Sequence, residues 1–292
     1  MTALEALAER VATGGETSAD DARLLIDTKD LITVGAIADD LRRRLHGAHT
    51  TFVRVFEFHV EAPPASLPPR TTAGEVRIAG TPRSLDMAVA AVRAAGSLAG
   101  FAPVTGFSLA DLVTLESSAP AMRTLAEAGL WGVAEAPVDM LEDLGSAVVR
   151  ARESGLHVLR LTVQMASDDP LPLVERARHL QATVGGFRAL APLPRTVSVA
   201  TPTTGYDDVK VVAAARLGAA NIPSIQVDWA NYGPKLAQVA LTMGADDVDG
   251  VAATEPGVLG ARRSALEEIR NNIRAAGLDG VERDGRFEPL SH

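Results

Sequence analysis

The sequence predicts a single α/β domain that folds as a (β/α)8 barrel of the TIM type. Strand-like and helix-like segments alternate along most of the chain, which is typical of a parallel barrel. The length of 292 residues is usual for one such barrel. Hydrophobic residues make up 47% of the chain and aromatic residues only 4%. We therefore expect small and branched aliphatic side chains to fill the barrel interior.

The first 50 residues read as helices. The N-terminus, MTALEALAERVA, has the pattern of an amphipathic helix, and residues 17–21 have the composition of a cap that opens a second helix. A third helix is predicted over residues 36–45 and ends at Gly47. These signals predict an N-terminal helical segment, residues 1–50, packed on a barrel domain, residues 51–292, with no linker between further domains.

The barrel strands are predicted from β-rich segments bounded by loop signals. They are residues 51–60, 75–79, 98–104, 131–136, 157–165, 188–193, 224–229 and 248–253. Helical patterns follow most of them and end at glycines such as Gly129, Gly244 and Gly277. In the last helix Ile269 and Ile273 recur at helical spacing, with Leu278 beyond them, so we expect this stretch to close the barrel.

Charge and composition exclude several classes of function. The net charge of −9 disfavours binding to nucleic acid or to anionic membranes, both of which need basic patches. No apolar run approaches the roughly 18–20 residues of a membrane-spanning helix, so we expect a cytoplasmic protein. The absence of cysteine excludes disulfides and thiolate metal sites. No HxH or HExxH pattern is present, and we predict no metal site.

The second half of the chain carries several motifs of one enzyme family. They are GGF at 185–187, APLP at 191–194, NIPSIQ at 221–226, Trp229, GPKLAQ at 233–238, GADDVDG at 244–250 and IRAAGLDGVER at 273–283. This pattern resembles the radical-SAM enzymes of menaquinone biosynthesis, aminofutalosine synthase and dehypoxanthine futalosine cyclase, and the related FO synthase. The similarity is specific from about residue 170 to 290.

The resemblance implies a radical-SAM-like barrel, but its cofactor motifs are missing. In that family the first strand leads into a CxxxCxxC loop that holds a [4Fe–4S] cluster and, through it, S-adenosylmethionine. Here residues 61–70 read EAPPASLPPR and contain neither Cys nor His. The Gly-Gly-x-x-Pro that cradles the amino group of S-adenosylmethionine corresponds to residues 79–82, AGTP. We therefore expect no cofactor and no reductive cleavage of S-adenosylmethionine.

Three residues are candidates for acid–base catalysis. Glu57 and His59 share one face near the carboxyl end of the first strand, where barrel active sites lie. A carboxylate beside an imidazole can perform acid–base chemistry, although the same pair could be a structural plug of the barrel. Glu255 follows the last strand where the family has a glutamate, and it is either catalytic or a cap.

Five residues are candidates for substrate binding. Gln226 and Asp228 alternate on the seventh strand, and Trp229 follows them; the alternative for Trp229 is packing against the barrel. Arg160 and Gln164 alternate on the fifth strand. A buried Arg160 needs an anionic ligand or an internal carboxylate, for which Glu135 is the nearest candidate in the sequence pattern.

Two functions remain open. In the first, the protein is a non-catalytic paralogue that binds a futalosine-like or chorismate-derived small molecule, or that pairs as a homodimer or heterodimer with a radical-SAM homologue. In the second, it is a neofunctionalised lyase, hydrolase or isomerase that uses Glu57 and His59 as acid–base groups. An open, polar barrel mouth would favour a ligand site, whereas a mouth filled by side chains would favour a structural role.

Overall fold

Eight parallel strands pair in sequence order and close into a barrel where β1 pairs with β2. A computed structural model describes residues 2–68, 71–116, 120–196, 204–254 and 265–290. The strands are β1 His49–His59, β2 Glu75–Ala79, β3 Val104–Ser108, β4 Gly132–Pro137, β5 Arg160–Val163, β6 Ala189–Pro194, β7 Ser224–Asp228, β8 Asp247–Ala252 and β9 Asp279–Arg283. The predicted (β/α)8 fold is confirmed.

Helices surround this barrel. They are α1 Ala3–Ala12, α2 Ala19–Asp27, α3 Leu31–His46, α4 Leu85–Ala99, α5 Leu109–Glu116, α6 Ala121–Glu127, α7 Leu144–Glu153, α8 Leu171–Thr183, α9 Gly205–Gly218, α10 Trp229–Leu241 and α11 Ala265–Ala275. The three N-terminal helices pack around α9, where Leu7, Val34 and Val209 share an apolar cluster. None of the helices in the described ranges is both long and apolar enough to cross a membrane.

The third strand lies further along the chain than the sequence predicts. The third strand was predicted over residues 98–104, but α4 continues to Ala99, with Gly100 as its C-cap, and β3 begins at Val104. Glycine inside a helix is tolerated, so Gly96 does not end α4. Between β1 and β2, the described residues 60–68 and 71–74 form a loop that contains no helix. Prolines in this loop lack a backbone donor and disfavour a helix there.

The interior of the barrel is charged, which contradicts the prediction of an aliphatic filling. On β2, Val76 and Ile78 point outward into the apolar core, so the alternating side chains of Glu75 and Arg77 point into the barrel. The aliphatic residues lie instead between the strands and the surrounding helices, where they form one large cluster. The barrel is therefore held by an apolar layer outside the strands and by ion pairs inside them.

The C-terminal stretch closes the amino-terminal end of the barrel. The strand β9 pairs with the first half of β1, and Ile269, Ile273 and Leu278 are buried, as their spacing predicts. Arg283 places its Nε and Nη2 atoms 2.7 and 2.6 Å from the two carboxylate oxygens of Asp247. Asp247 lies at the start of β8 and anchors this closure.

Candidate functional site

The carboxyl ends of the strands surround an open cavity with polar walls. Its larger lobe has a volume of about 480 Å³ and its smaller lobe about 340 Å³. Both lobes are lined by Glu57, Arg77, Glu135 and Gln164. The larger lobe adds Arg195, Asp228 and Asn231, and the smaller lobe adds Thr81, Ser108 and Asp111. The shared residues make the two lobes parts of one barrel mouth.

A cluster of buried ion pairs forms the floor of the larger lobe. The two terminal nitrogens of Arg77 donate to the carboxylate of Asp249 at 3.0 and 2.8 Å. Arg160 approaches the same carboxylate, with Nη1 3.2 Å from Oδ2. Glu75 accepts from Arg77 Nε at 2.9 Å and from the Thr105 hydroxyl at 2.6 Å. Three strands, β2, β5 and β8, therefore contribute charges that neutralise one another.

These contacts govern the protonation of the buried carboxyls. Burial alone would raise the pKa of Asp249, but Arg160, Arg77 and Arg195 hold it well below its usual range. Burial would also raise the pKa of Glu75. The positive charges of Arg77 and Arg160 outweigh this effect, so the pKa of Glu75 is lowered. Both groups are therefore carboxylates at neutral pH and serve as permanent counter-ions for the arginines.

Arg195 follows β6 and reaches into the cavity. Its Nη1 donates to Asp228, which also accepts a hydrogen bond from the backbone N–H of Asn231 at 2.8 Å and so caps α10. The Nε atom of Arg195 lies 3.4 Å from Oε1 of Glu135. Glu135 therefore approaches Arg195, and not Arg160 as its sequence position suggested, while Arg160 donates to the backbone carbonyl of Ala134 at 3.2 Å.

Glu57 stands between the two lobes. It belongs to the walls of both, and although its backbone pairs with β2, its carboxyl group forms no side-chain hydrogen bond within the described part of the chain. Partial burial in the mouth raises the pKa of Glu57, Arg77 lowers it, and the neighbouring carboxylates Asp249 and Asp228 add to the rise. A carboxyl group with a raised pKa that faces open space is suited to donating a proton or a hydrogen bond to a bound molecule.

His59 lies at the end of β1, outside the cavity walls that the described residues form. Its Nδ1 accepts a hydrogen bond from the backbone N–H of Glu61 at 3.3 Å, and the imidazole rests against the backbone of Gly80. Gly80 has a φ of +88°, and a Cβ at this position would lie 2.3 Å from Nε2 of His59. The positive φ therefore favours glycine at position 80, and a larger residue there would also have to displace the imidazole of His59.

The residues of this end of the barrel do not fit an iron–sulfur cluster with the family's three thiolate ligands. The chain contains no cysteine, and residues 61–68 and 71–74, the described part of the loop after β1, contain no histidine. The ring of His59 also lies against the turn at Gly80. No group of three or more His, Asp or Glu residues within the described ranges is arranged to hold a metal ion.

The structure brings some of the predicted site residues together and separates others. Glu57, Gln164 and Asp228 line the larger lobe, and Arg160 lies in the floor beneath it. Gln226 is deeper in the barrel, where its Nε2 donates to Asp247 at 2.5 Å. Trp229 packs against the apolar layer outside the strands. Glu255 lies outside the residues that the structure describes.

Sequence reasoning missed four residues of the cavity walls and one residue of the floor. The wall residues are Arg77, Asp111, Glu135 and Arg195, and the floor residue is Asp249. A signal existed for two of them. Successive side chains of a strand point to opposite faces, so charged residues that alternate with apolar ones face the barrel interior when the apolar ones face the helices. This pattern occurs at Glu75 and Arg77 on β2 and at Asp247 and Asp249 on β8. For Arg195 and Asp111 the sequence offered no comparable pattern.

Comparisons with known proteins agree with this architecture. Residues 189–292 match the family described as the CofH/MqnC C-terminal region. The chain is 26% identical to aminodeoxyfutalosine synthase of Thermus thermophilus, over 97% of this chain and 95% of that protein. It is 28% identical to cyclic dehypoxanthine futalosine synthase of Streptomyces coelicolor, over 58% of this chain and 49% of that protein.

A solved structure supports the fold alone. Methylornithine synthase (PylB) superposes with a TM-score of 0.65 at 12% sequence identity, covering 94% of this chain and 97% of that chain. The barrel architecture is thus shared with that solved structure. The matched C-terminal region and the similarity to aminodeoxyfutalosine synthase over most of both chains show that this cysteine-free chain is similar in sequence to the aminodeoxyfutalosine and cyclic dehypoxanthine futalosine synthases.

Proposed function

We propose that the protein is a cluster-free homologue that binds a futalosine-like or chorismate-derived small molecule in the barrel mouth, as an accessory paralogue in menaquinone biosynthesis. The observation that carries this proposal is the open mouth itself, a cavity of about 480 Å³ whose walls include Glu57, Arg77 and Asp228. A purely structural barrel has no need to keep charged side chains around an open space, because each requires partners there.

The charges of the mouth favour a ligand rich in hydroxyl or amino groups. In the floor and wall, Arg77, Arg160 and Arg195 face three carboxylates, Glu75, Asp228 and Asp249. Glu57 and Glu135 add further negative charge at the rim. Donor groups on the ligand would satisfy these oxygens, whereas a phosphate ester would meet repulsion.

Calorimetric titration with aminodeoxyfutalosine and with dehypoxanthine futalosine tests this proposal. We expect one of them to bind with a stoichiometry of one, and Glu57→Gln to weaken the affinity about tenfold, because an amide cannot replace a carboxylate facing ligand donors. Glu61→Gln is the matched control, since Glu61 lies near the same end of β1 but pairs with Arg83. No binding of either compound, or equal losses in both variants, would contradict the proposal.

A second candidate function is acid–base catalysis on such a ligand, as a lyase, hydrolase or isomerase. The raised pKa of Glu57 favours it, because a carboxyl that keeps its proton to higher pH can act as a general acid. Glu57, His59 and Glu255 are the proposed catalytic residues. Gln164, Asp228 and Arg160 are the proposed substrate contacts, whereas Gln226 and Trp229, which the sequence also suggested, are not among the wall residues of either lobe.

Incubation of the protein with the bound compound, followed by mass spectrometry of the products, tests for turnover. We expect the rate to fall as the pH rises through the raised pKa of Glu57, since the general acid is lost on ionisation. His59→Ala should remove turnover with little change in melting temperature, because the imidazole is largely exposed. A chemically unchanged ligand at every pH would leave the protein as a binding paralogue, alone or paired with a radical-SAM homologue.

A further inference from the structure

Arg195 lines the barrel mouth, and one edge of its guanidinium forms no hydrogen bond within the described part of the chain. The side chain is only 7% exposed, and its Nη1 atom donates to Asp228. The Nε and Nη2 atoms are buried and form no hydrogen bond within the described part of the chain. Buried donors in native proteins are almost always paired, so two unmet donors on one guanidinium require an explanation.

The two unmet donors lie on the same side of the guanidinium. In arginine, Nε–H and one N–H of Nη2 point in parallel, and this pair of donors matches the two oxygens of a carboxylate. Asp228 occupies the other side of the group through Nη1, and the backbone N–H of Arg195 is held by the carbonyl of Val163 at 2.9 Å. The free edge is therefore fixed in place before any ligand arrives.

Neighbouring carboxylates approach this edge without bonding to it. Glu135 Oε1 lies 3.4 Å from Nε, and Asp249 Oδ2 lies 3.7 Å from Nη2. Asp249 is fully buried and already bound by Arg77, so it cannot move toward Arg195. Glu135 is different, because its side chain is 28% exposed and can turn toward solvent at the rim.

We propose that the Nε–Nη2 edge of Arg195 is a subsite for a carboxylate group of the ligand, and that this carboxylate displaces Glu135 when it binds. The inference rests on the proposed ligand site in the mouth and adds to it the group that anchors the ligand. Replacing one carboxylate by another leaves the charge beside Arg195 unchanged, and the displaced Glu135 becomes hydrated at the rim. A ligand with one carboxylate and several hydroxyl or amino groups satisfies both Arg195 and the acidic walls.

The test uses benzoate as a carboxylate probe and benzamide as its neutral match. Protein labelled with ¹⁵N on arginine is titrated with each probe, and the Nε–H resonance of Arg195 is identified by its loss in Arg195→Lys. We expect this resonance to shift with benzoate and not with benzamide. Arg195→Lys keeps the positive charge but loses the paired donors, so benzoate affinity should fall about tenfold.

Glu135→Gln should change the benzoate affinity in the opposite direction to Arg195→Lys. Removal of the competing carboxylate should raise the affinity for benzoate several-fold and leave the affinity for benzamide unchanged. Circular dichroism checks that both variants remain folded. Equal responses to the two probes, or unchanged benzoate affinity in Arg195→Lys, would overturn the subsite. This failure is distinct from failure of the proposed function, which is decided by the futalosine compounds and Glu57→Gln.

Discussion

At the scale of single residues, the balance of charges inside the barrel depends most on Asp249. Its carboxylate contacts both Arg77 and Arg160, and Arg195 lies 3.7 Å away. Removing it would leave guanidinium groups buried without this counter-ion, and an unpaired buried charge is strongly destabilising. The residue is therefore central to stability although it does not belong to the cavity walls.

We expect Asp249→Asn to lower the free energy of unfolding by about 3–5 kcal/mol at pH 7. The folded-state pKa of Asp249 lies below the unfolded value, so its stabilisation is complete above the unfolded pKa of about 4 and is lost as the pH falls further. Urea denaturation should thus show that the difference in the free energy of unfolding between wild type and Asp249→Asn becomes smaller below about pH 4.

Asp40→Asn is the control for this measurement, since Asp40 is exposed on α3. A loss of similar size in both variants, or a pH-independent difference for Asp249→Asn, would show that the buried ion pairs do not stabilise the barrel.

Individual site residues were only partly predictable from the sequence. Glu57 and Asp228 were predictable because both lie near the carboxyl end of a strand, and the barrel brings such ends together. Arg195 and Glu135 were not, because their roles depend on which of several charges pair across the barrel. Glu135 approaches Arg195 and not Arg160 because of the register and stagger of the strands. The spacing of residues along one strand does not reveal this register.

At the scale of elements, α11 and β9 are integral parts of the barrel. Ile269 and Ile273 face the core with no exposed surface, and β9 pairs with β1 over five residues of each strand. Arg54 of β1 donates to Glu282 of β9 at 2.6 Å. A helix and a strand with these contacts contribute to the same cooperative unit as the strands before them.

We expect Ile273→Ala to destabilise the protein by about 2–5 kcal/mol, because it removes buried methyl groups and leaves a cavity. Ile32→Ala is the matched control, since Ile32 is 87% exposed and its loss should change stability by no more than about 0.5 kcal/mol. Thermal melts of both variants give the comparison. Equal melting temperatures would mean that α11 is an appendage of the barrel.

Secondary structure was more predictable than the interior of the barrel. The alternation of strands and helices was recognisable because outward-facing positions such as Val76 and Ile78 keep a strong apolar pattern. The third strand was misplaced because an apolar stretch after Gly96 fits either a helix or a strand, and only packing decides between them. The charged interior was not predicted because the overall composition does not distinguish the two faces of a strand, whereas the two-residue period of the charges on β2 and β8 does.

At the scale of the whole molecule, the retained barrel and the missing thiolates predict a protein without iron–sulfur chemistry. We expect anaerobic reconstitution with iron and sulfide to yield no stoichiometric cluster, because the chain has no thiolate ligands. Visible absorbance and iron and sulfide analysis provide the measurement. A protein known to bind a [4Fe–4S] cluster, treated in parallel, is the positive reference, and stoichiometric iron and sulfide in this protein would refute the prediction.

The pairing of β1 with β9 also bears on how the chain folds. Arg54 and Glu282 are separated by 228 positions, so the contact between them forms only after nearly the whole described chain has been synthesised. Parallel pairing over such separations is slow, because loop closure must precede the contacts that compensate for it. Until then the nascent chain exposes unpaired edges of β1, a strand of eleven residues, and is prone to aggregate. Expression yield should therefore depend on translation rate and chaperone supply more than on the stability of the finished barrel.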